Sequence, residues 1–122
     1  MQFAGVIADK AELYQEYDRA KIFALPSAWE GGTPNVVSEA LHSGCVMAVT
    51  KFDAYEDAID RGRCGAASAL FDIPGFANNL LSLCQNPGLE ELSQNAYQYA
   101  LRTYDMEFVV KRLHYLLYHE TN

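Results

Sequence analysis

The sequence predicts an α/β domain of three layers, with helices packed on both faces of a parallel sheet. Two strand signals and the spacing of the helices carry this. Val46 to Thr50 is a short apolar, largely β-branched run of the kind that is buried on both faces of a parallel sheet. A second apolar run, Lys21 to Leu25, leads into a loop with two glycines and then into a two-faced helix. Beyond Thr50 the chain reads as helix after helix, ending in Phe108, Val109, Leu113, Leu116 and Leu117 at helical spacing.

Taken in order, Ala4 to Ile7 reads as a strand, Ala11 to Ala20 as an amphipathic helix, and Lys21 to Leu25 as the next strand. The following helix is expected from Pro34 to Ser43. Thr33 is a good N-cap, because its hydroxyl can accept from an orphan amide of the first turn. Pro34 suits the first helical position, where its missing N–H costs nothing. Gly44 is placed as the C′ residue that ends the helix. After strand Val46 to Thr50, Ala54 to Arg61 reads as a short helix with acids near its start and Arg61-Gly62 at its end. A helix then opens at Phe71-Asp72-Ile73-Pro74 and runs through Cys84, closed by Asn86-Pro87-Gly88. Leu89 to Tyr104 is another, and Asp105 caps the last.

The segment from Pro26 to Gly44 carries most of the functional signal. A strand, a glycine-bearing turn and a helix N-terminus make an anion site, since free amides and the positive dipole end converge there. In an α/β sheet that spot lies at the carboxyl edge of the strands, where ligands bind. On the helix, Val36, Val37, Ala40 and Leu41 form the core stripe, while Asn35, Ser38, Glu39 and His42 project to the other side. Glu39 thus sits about one turn in from the anion site, away from the core, where a carboxylate can accept from the two hydroxyls of a vicinal diol. Glu30 places a second acceptor on the opposite side of the same amides. Two carboxylates around a phosphate-type site suit a sugar nucleotide, with hydroxyls at both ends and a diphosphate between.

These residues resemble the signature of the retaining glycosyltransferases of the GT-B fold, the family 4 or group 1 type. Pro26-Ser27, Glu30-Gly31, Pro34-Asn35-Val36, Glu39-Ala40 and Gly44-Cys45 match its pattern in order. Asp60-Arg61-Gly62-Arg63-Cys64-Gly65 resembles the family's glycine turn, and the closing pair of helices resembles its C-terminal end. The similarity runs from about residue 3 to about 118. One departure is that eight residues, Gly31 to Ser38, separate the two glutamates, one more than is usual in the family. The extra residue most simply falls in the Gly31-Gly32 loop, which leaves Glu39 in register.

The resemblance implies a Rossmann-like domain with a parallel sheet: the later part of the GT-B C-terminal, donor-binding domain. Residues 1–103 would form the core and 104–120 a C-terminal helix. It implies that Glu39 holds the ribose of the donor, that Glu30 contacts hydroxyls of the transferred sugar, and that amides of Gly32, Thr33, Pro34-Asn35 and the turn around Gly31 and Val36 line the diphosphate; of these Pro34 has no N–H to give. The implied activity is hexosyl transfer with retention from a UDP-, GDP- or ADP-sugar, with no cofactor and no obligate metal. The acceptor domain, the first strands of the donor domain and the family's basic pair for the leaving diphosphate are not matched in this sequence. The expectation is therefore a fragment that does not turn over substrate alone, whose partners are the nucleotide-sugar donor and the acceptor domain. Catalytic residues are not assigned. A non-catalytic nucleotide-sugar sensor or interaction module of the same fold is the rival reading; a response-regulator-like domain is disfavoured by the lack of an Asp-Asp pair near the first strand. Polysaccharide or lipid-linked glycan assembly is expected by analogy alone.

Composition sets bounds. A length of 122 residues fits one domain. The net charge of −7 argues against a nucleic-acid surface, which needs clustered Lys and Arg. No run reaches the roughly 18 apolar residues of a membrane helix and no signal peptide is visible, so a cytoplasmic location is expected, with membrane contact only through parts outside this sequence. Cys45, Cys64 and Cys84 are odd in number and widely spaced, neither a metal pair nor a disulfide framework. Plainer readings accompany the rest. Trp29 either packs beside the sugar site or covers the core, His42 is a surface histidine near Glu39, and His114 and His119 are structural. Lys10, Arg19 and Lys21 are solvated, and Tyr97, Tyr99, Tyr104 and Phe108 read first as core.

Overall fold

The computed structural model describes residue 5, residues 7–30 and 35–104, and residues 110, 114, 117 and 118. The elements follow the order α1 (Lys10–Arg19), β1 (Ile22–Leu25), α2 (Asn35–His42), β2 (Val46–Thr50), α3 (Tyr55–Ile59), a 3-10 turn (Asp60–Gly62), β3 (Gly65–Ser68), α4 (Ile73–Cys84) and α5 (Leu89–Thr103). The sheet has strand order β1-β2-β3. β2 pairs in parallel with both neighbours, Ile22 opposite Val46 on one side and Met47 opposite Gly65 on the other.

β2 is buried along its whole length, and its alternating side chains divide the interior in two. Met47 and Val49 join Val37, Ala40 and Leu41 of α2, Ala58 and Ile59 of α3, and Ala96 and Ala100 of α5 in one core. Val46 and Ala48 point the other way and meet Leu83, Phe76 and Leu80 of α4. The period of two along a strand makes this division automatic once both faces are covered. The result is the expected three-layer, Rossmann-like arrangement, with α1, α2, α3 and most of α5 on one face and α4 on the other.

Local chemistry fixes the ends. Asp9 caps α1 by accepting from the Ala11 amide at 2.8 Å, and Asp72 caps α4 by accepting from Gly75 at 3.0 Å. Gly44 adopts φ 76°, and the amides of Gly44 and Cys45 return to the carbonyls of Leu41 and Ala40. This is the Schellman closure that the sequence position of Gly44 predicts. α5 is tied across the face by side chains: Ser93 Oγ donates to the Gly44 carbonyl at 2.6 Å, and Tyr99 and Tyr104 both donate to the Asp57 carbonyl at 2.7 and 3.0 Å. Tyr99 and Tyr104 are half-buried, whereas Tyr97 is exposed rather than core.

Several expectations need adjustment. The helix expected over Ala54–Arg61 ends at Ile59, because Asp60, Arg61 and Gly62 take positive φ of 47°, 55° and 95°. Left-handed backbone costs a non-glycine residue about 1–2 kcal/mol. Here the side chain of Asp60, little exposed, pairs with Arg63 at 3.2 Å and lies 3.8 Å from Arg102, which anchors the reversal. The strand β3 was not expected at all: Gly65-Ala66-Ala67-Ser68 lacks the β-branched signature. Of the strand expected at Ala4–Ile7, only Gly5 and Ile7 are described, and neither lies in a strand. In the closing helix, Val110, His114, Leu117 and Tyr118 are helical, and the rings of His114 and Tyr118 meet at 4.6 Å. Asp105, Phe108, Val109, Leu113, Leu116 and His119 lie outside the described residues.

Gly65 is the tightest point of the sheet. A Cβ there would stand 2.3 Å from the Met47 carbonyl oxygen and 2.9 Å from its Cβ. Gly65→Ala is expected to lower unfolding free energy by about 1–3 kcal/mol, the usual cost of overpacking, measured by urea denaturation. The buried thiols set a second expectation. Burial pushes Cys45 from 9.0 up to about 11 and Cys64 up to about 12. Above pH 9 the unfolded chain therefore releases protons that the folded chain keeps, so stability falls as pH rises. Thermal unfolding is expected to be insensitive to these groups near neutrality and to shift to lower temperature between pH 9 and 12, and less so in a Cys64→Ala variant.

Candidate functional site

The carboxyl ends of the three strands open on one edge of the molecule, and the loop Pro26–Glu30 leaves β1 there. Its course is set by hydroxyls. Thr50, buried at the end of β2, donates through Oγ1 to the Ser27 carbonyl. Ser27 Oγ in turn donates to Glu30 Oε1, and the Glu30 amide donates to Asp53 Oδ1 at 3.3 Å. A latch of Thr50, Ser27 and Asp53 thus holds Glu30, half-buried, where the chain turns toward α2. Gly31, Gly32, Thr33 and Pro34, which carry the expected cap and anion-binding amides, lie outside the described residues. Asn35 is the first described residue of α2 and is exposed.

Glu39 lies one turn further along α2, but its surroundings differ from the expectation. Val37, Ala40 and Leu41 are fully buried, whereas Val36 is 36% exposed, so the core stripe is narrower than the four apolar residues suggest. Glu39 is half-buried rather than on a free polar side, because α1 packs beside that stripe. The Tyr17 hydroxyl donates to Glu39 Oε2 at 3.1 Å. Desolvation, reinforced by this bond to Glu39, pushes the Tyr17 phenol from 10.0 up to about 12, so it stays a donor. His42 turns back on its own helix, where its Nδ1 meets the Ser38 carbonyl at 2.7 Å. Arg19 and Lys21 are exposed, as expected, with Arg19 paired to Glu16. Among the described residues no Lys or Arg pairs with Glu30 or Glu39.

Trp29 is 77% exposed, which excludes it as a cover for the core. Beside the loop that carries it, the same edge has an apolar border that the sequence did not reveal. A cavity of about 320 Å³ lies between the β1 loop and the start of α4, walled by Pro26, Ala28, Leu70, Phe71, Ile73 and Phe76. Phe71 is 85% exposed and has φ 64°, an uncommon conformation for a bulky side chain. The signal was present as Leu70-Phe71 directly before the Asp72 cap, but an apolar pair there reads equally as the end of a strand. Among the described residues no helix is long and apolar enough to cross a membrane, and no group of three or more His, Cys, Asp and Glu is placed to hold a metal ion.

Strand order, parallel pairing and helices on both faces define a Rossmann-like α/β domain, the class in which ligands sit beyond the carboxyl ends of the strands. The family of group 1 glycosyl transferases matches residues 1–86, a span that includes the loop, α2 and all three strands. The chain belongs to this family, and membership implies a nucleotide-sugar donor. Comparison with curated proteins and with solved structures finds no match.

The Thr50 hydroxyl is the link between β2 and the site loop. Thr50→Val keeps the shape and removes the donor, leaving the Ser27 carbonyl without it. A loss of about 1 kcal/mol in unfolding free energy is expected, together with faster amide exchange at Ser27–Glu30 by NMR.

Proposed function

We propose that this chain is the donor-binding part of a retaining, hexosyl-transferring glycosyltransferase. In this reading the Glu39 carboxylate accepts hydrogen bonds from the ribose diol of a nucleoside diphosphate sugar. Glu30 contacts hydroxyls of the sugar that is transferred, and the amides of Gly31, Gly32, Thr33, Asn35 and Val36 face the diphosphate. The observation that carries the reading is the family match across the whole loop-and-helix unit, in which Glu39 is a half-buried carboxylate on α2. In this reading the eight-residue spacing between the glutamates is taken up in the Gly31-Gly32 loop, ahead of Asn35 where α2 begins, which leaves Glu39 in register.

The chemistry asks for little from these residues beyond position and charge. Transfer breaks the bond between the sugar C1 and the diphosphate oxygen and forms one to an acceptor oxygen, so negative charge grows on the departing diphosphate. Amides and the dipole at the start of α2 oppose that charge without reorganising. The acidic groups are kept to the flanks, where they accept from hydroxyls and do not face the phosphates. The acceptor and further positive charge would come from a second domain, so the chain alone is expected to bind the donor and not to turn it over. A cytoplasmic setting and a role in polysaccharide assembly accord with this reading.

Amide NMR of the chain titrated with UDP, GDP and ADP in turn provides the test. One nucleotide is expected to shift signals selectively between Ser27 and Glu39 and so to name the base. Glu39→Ala should weaken its binding about tenfold, the scale of a hydrogen bond to a charged group. Shifts confined to other parts of the chain, or full binding by Glu39→Ala, would remove the reading.

A further inference from the structure

Glu39 has a partner from a different helix. Tyr17 lies in the second half of α1, 8% exposed, and its ring leans on Phe23 of β1 with centroids 5.8 Å apart. The ring is fixed by the sheet and its hydroxyl reaches α2, where it meets Glu39 Oε2 at 3.1 Å. A carboxylate offers about four acceptor positions on two oxygens. One donor on Oε2 therefore leaves Oε1, and part of Oε2, for a ligand. A free glutamate side chain would lose rotamer entropy on being immobilised by a ligand. A carboxylate already held has met that cost in folding.

We propose that Tyr17 is a positioning residue of the donor site: its hydroxyl holds Glu39 by Oε2 so that the remaining acceptors are presented to the ribose diol. This rests on the reading of Glu39 as the ribose acceptor. The same bond would join α1 to α2 in a purely structural role, but a structural clip predicts no preference among nucleotides that differ by a single hydroxyl. Positioning does. It ties Tyr17 to the discrimination of ribose from 2′-deoxyribose, because that is the contact Glu39 would supply. Tyr17→Phe keeps the ring on Phe23 and removes only the hydroxyl, so packing and positioning separate.

The experiment compares UDP, GDP and ADP with their 2′-deoxy counterparts, using the full chain, Tyr17→Phe, Glu39→Ala and the double variant. Tyr17→Phe is expected to reduce the ribose preference about fivefold and to have no further effect in the Glu39→Ala background, as coupled neighbours should. In the unaltered chain, the Glu39 carboxyl carbon and the Tyr17 ring carbon bearing the hydroxyl should shift together with the ribonucleotide and not with the 2′-deoxy form. This second measurement stands even if a variant unfolds. Ribose preference retained in Tyr17→Phe but lost in Glu39→Ala, or a Glu39 signal that moves alone, would overturn the role of Tyr17 and leave the ribose reading intact. No ribose preference in the unaltered chain, or none lost in Glu39→Ala, would overturn the ribose reading and the role of Tyr17 with it.

Discussion

The complete burial of β2 is the constraint from which the rest of the structure follows. A strand with water on neither side must find apolar partners above and below, and its backbone must be paired on both edges. β1 and β3 satisfy the edges. The two faces then need helices of the right length, and the alternation of Val46 and Ala48 against Met47 and Val49 says which helix meets which residue. Because β2 ends in Thr50, the buried strand also carries a polar group to the edge where the loops begin, and the chain spends it on the Ser27 carbonyl. Core and site are thus continuous: the strand that organises the packing also latches the loop.

On the reading proposed above, the loop and α2 show how an acidic chain could assemble a site for an anionic donor. Glu30 and Asp53 come close through the Glu30 amide, and Glu39 is held from the side by a phenol. None of these contacts requires a cation. The carboxylates accept from neutral donors and remain acceptors, which suits hydroxyl-rich parts of a ligand; in the proposed site, phosphate recognition would fall to backbone amides, whose charge is partial and fixed in direction. The apolar cavity beside Phe71 borders the same edge, so polar and apolar surfaces meet along the β1 loop.

Much of this was legible in the residues, and the exceptions have physical reasons. The Gly44 closure, the helix opening at 71–74 and the strands at 22–25 and 46–50 could be read from local chemistry, because each depends on a few adjacent residues. β3 could not: its pairing is dictated by β2, and small residues are needed where Gly65 crosses Met47, so propensity is overridden by contact. Glu39 was placed on the correct face of α2 by periodicity, but a helical wheel has no knowledge of a neighbouring helix, and α1 covers part of the polar stripe. Tyr17 itself looked like one more amphipathic-helix residue. The left-handed run at Asp60–Gly62 is only partly legible: Gly62 and the nearby Arg63 are local, but the second cation beside Asp60, Arg102, comes from α5.

The two layers over the sheet are unequal, and this has a consequence for how the molecule breathes. Among the described residues, thirteen buried ones form the core beneath α2, α3 and α5, while Val46, Ala48 and Leu83 alone are buried beneath α4, among side chains that are partly wet. Cooperative units open in order of the apolar surface that holds them down. α4 should therefore peel away as a unit well below the free energy of global unfolding, its amides exchanging with solvent deuterium ahead of those of β2 and α2. The hinge of that excursion would be Leu70–Asp72, where Phe71 already departs from ordinary backbone geometry. The wall of the apolar cavity formed by Ile73 and Phe76 would go with it, making the cavity a transient feature on the timescale of exchange, while the Thr50 latch and the Tyr17–Glu39 contact stay with the slow-exchanging half.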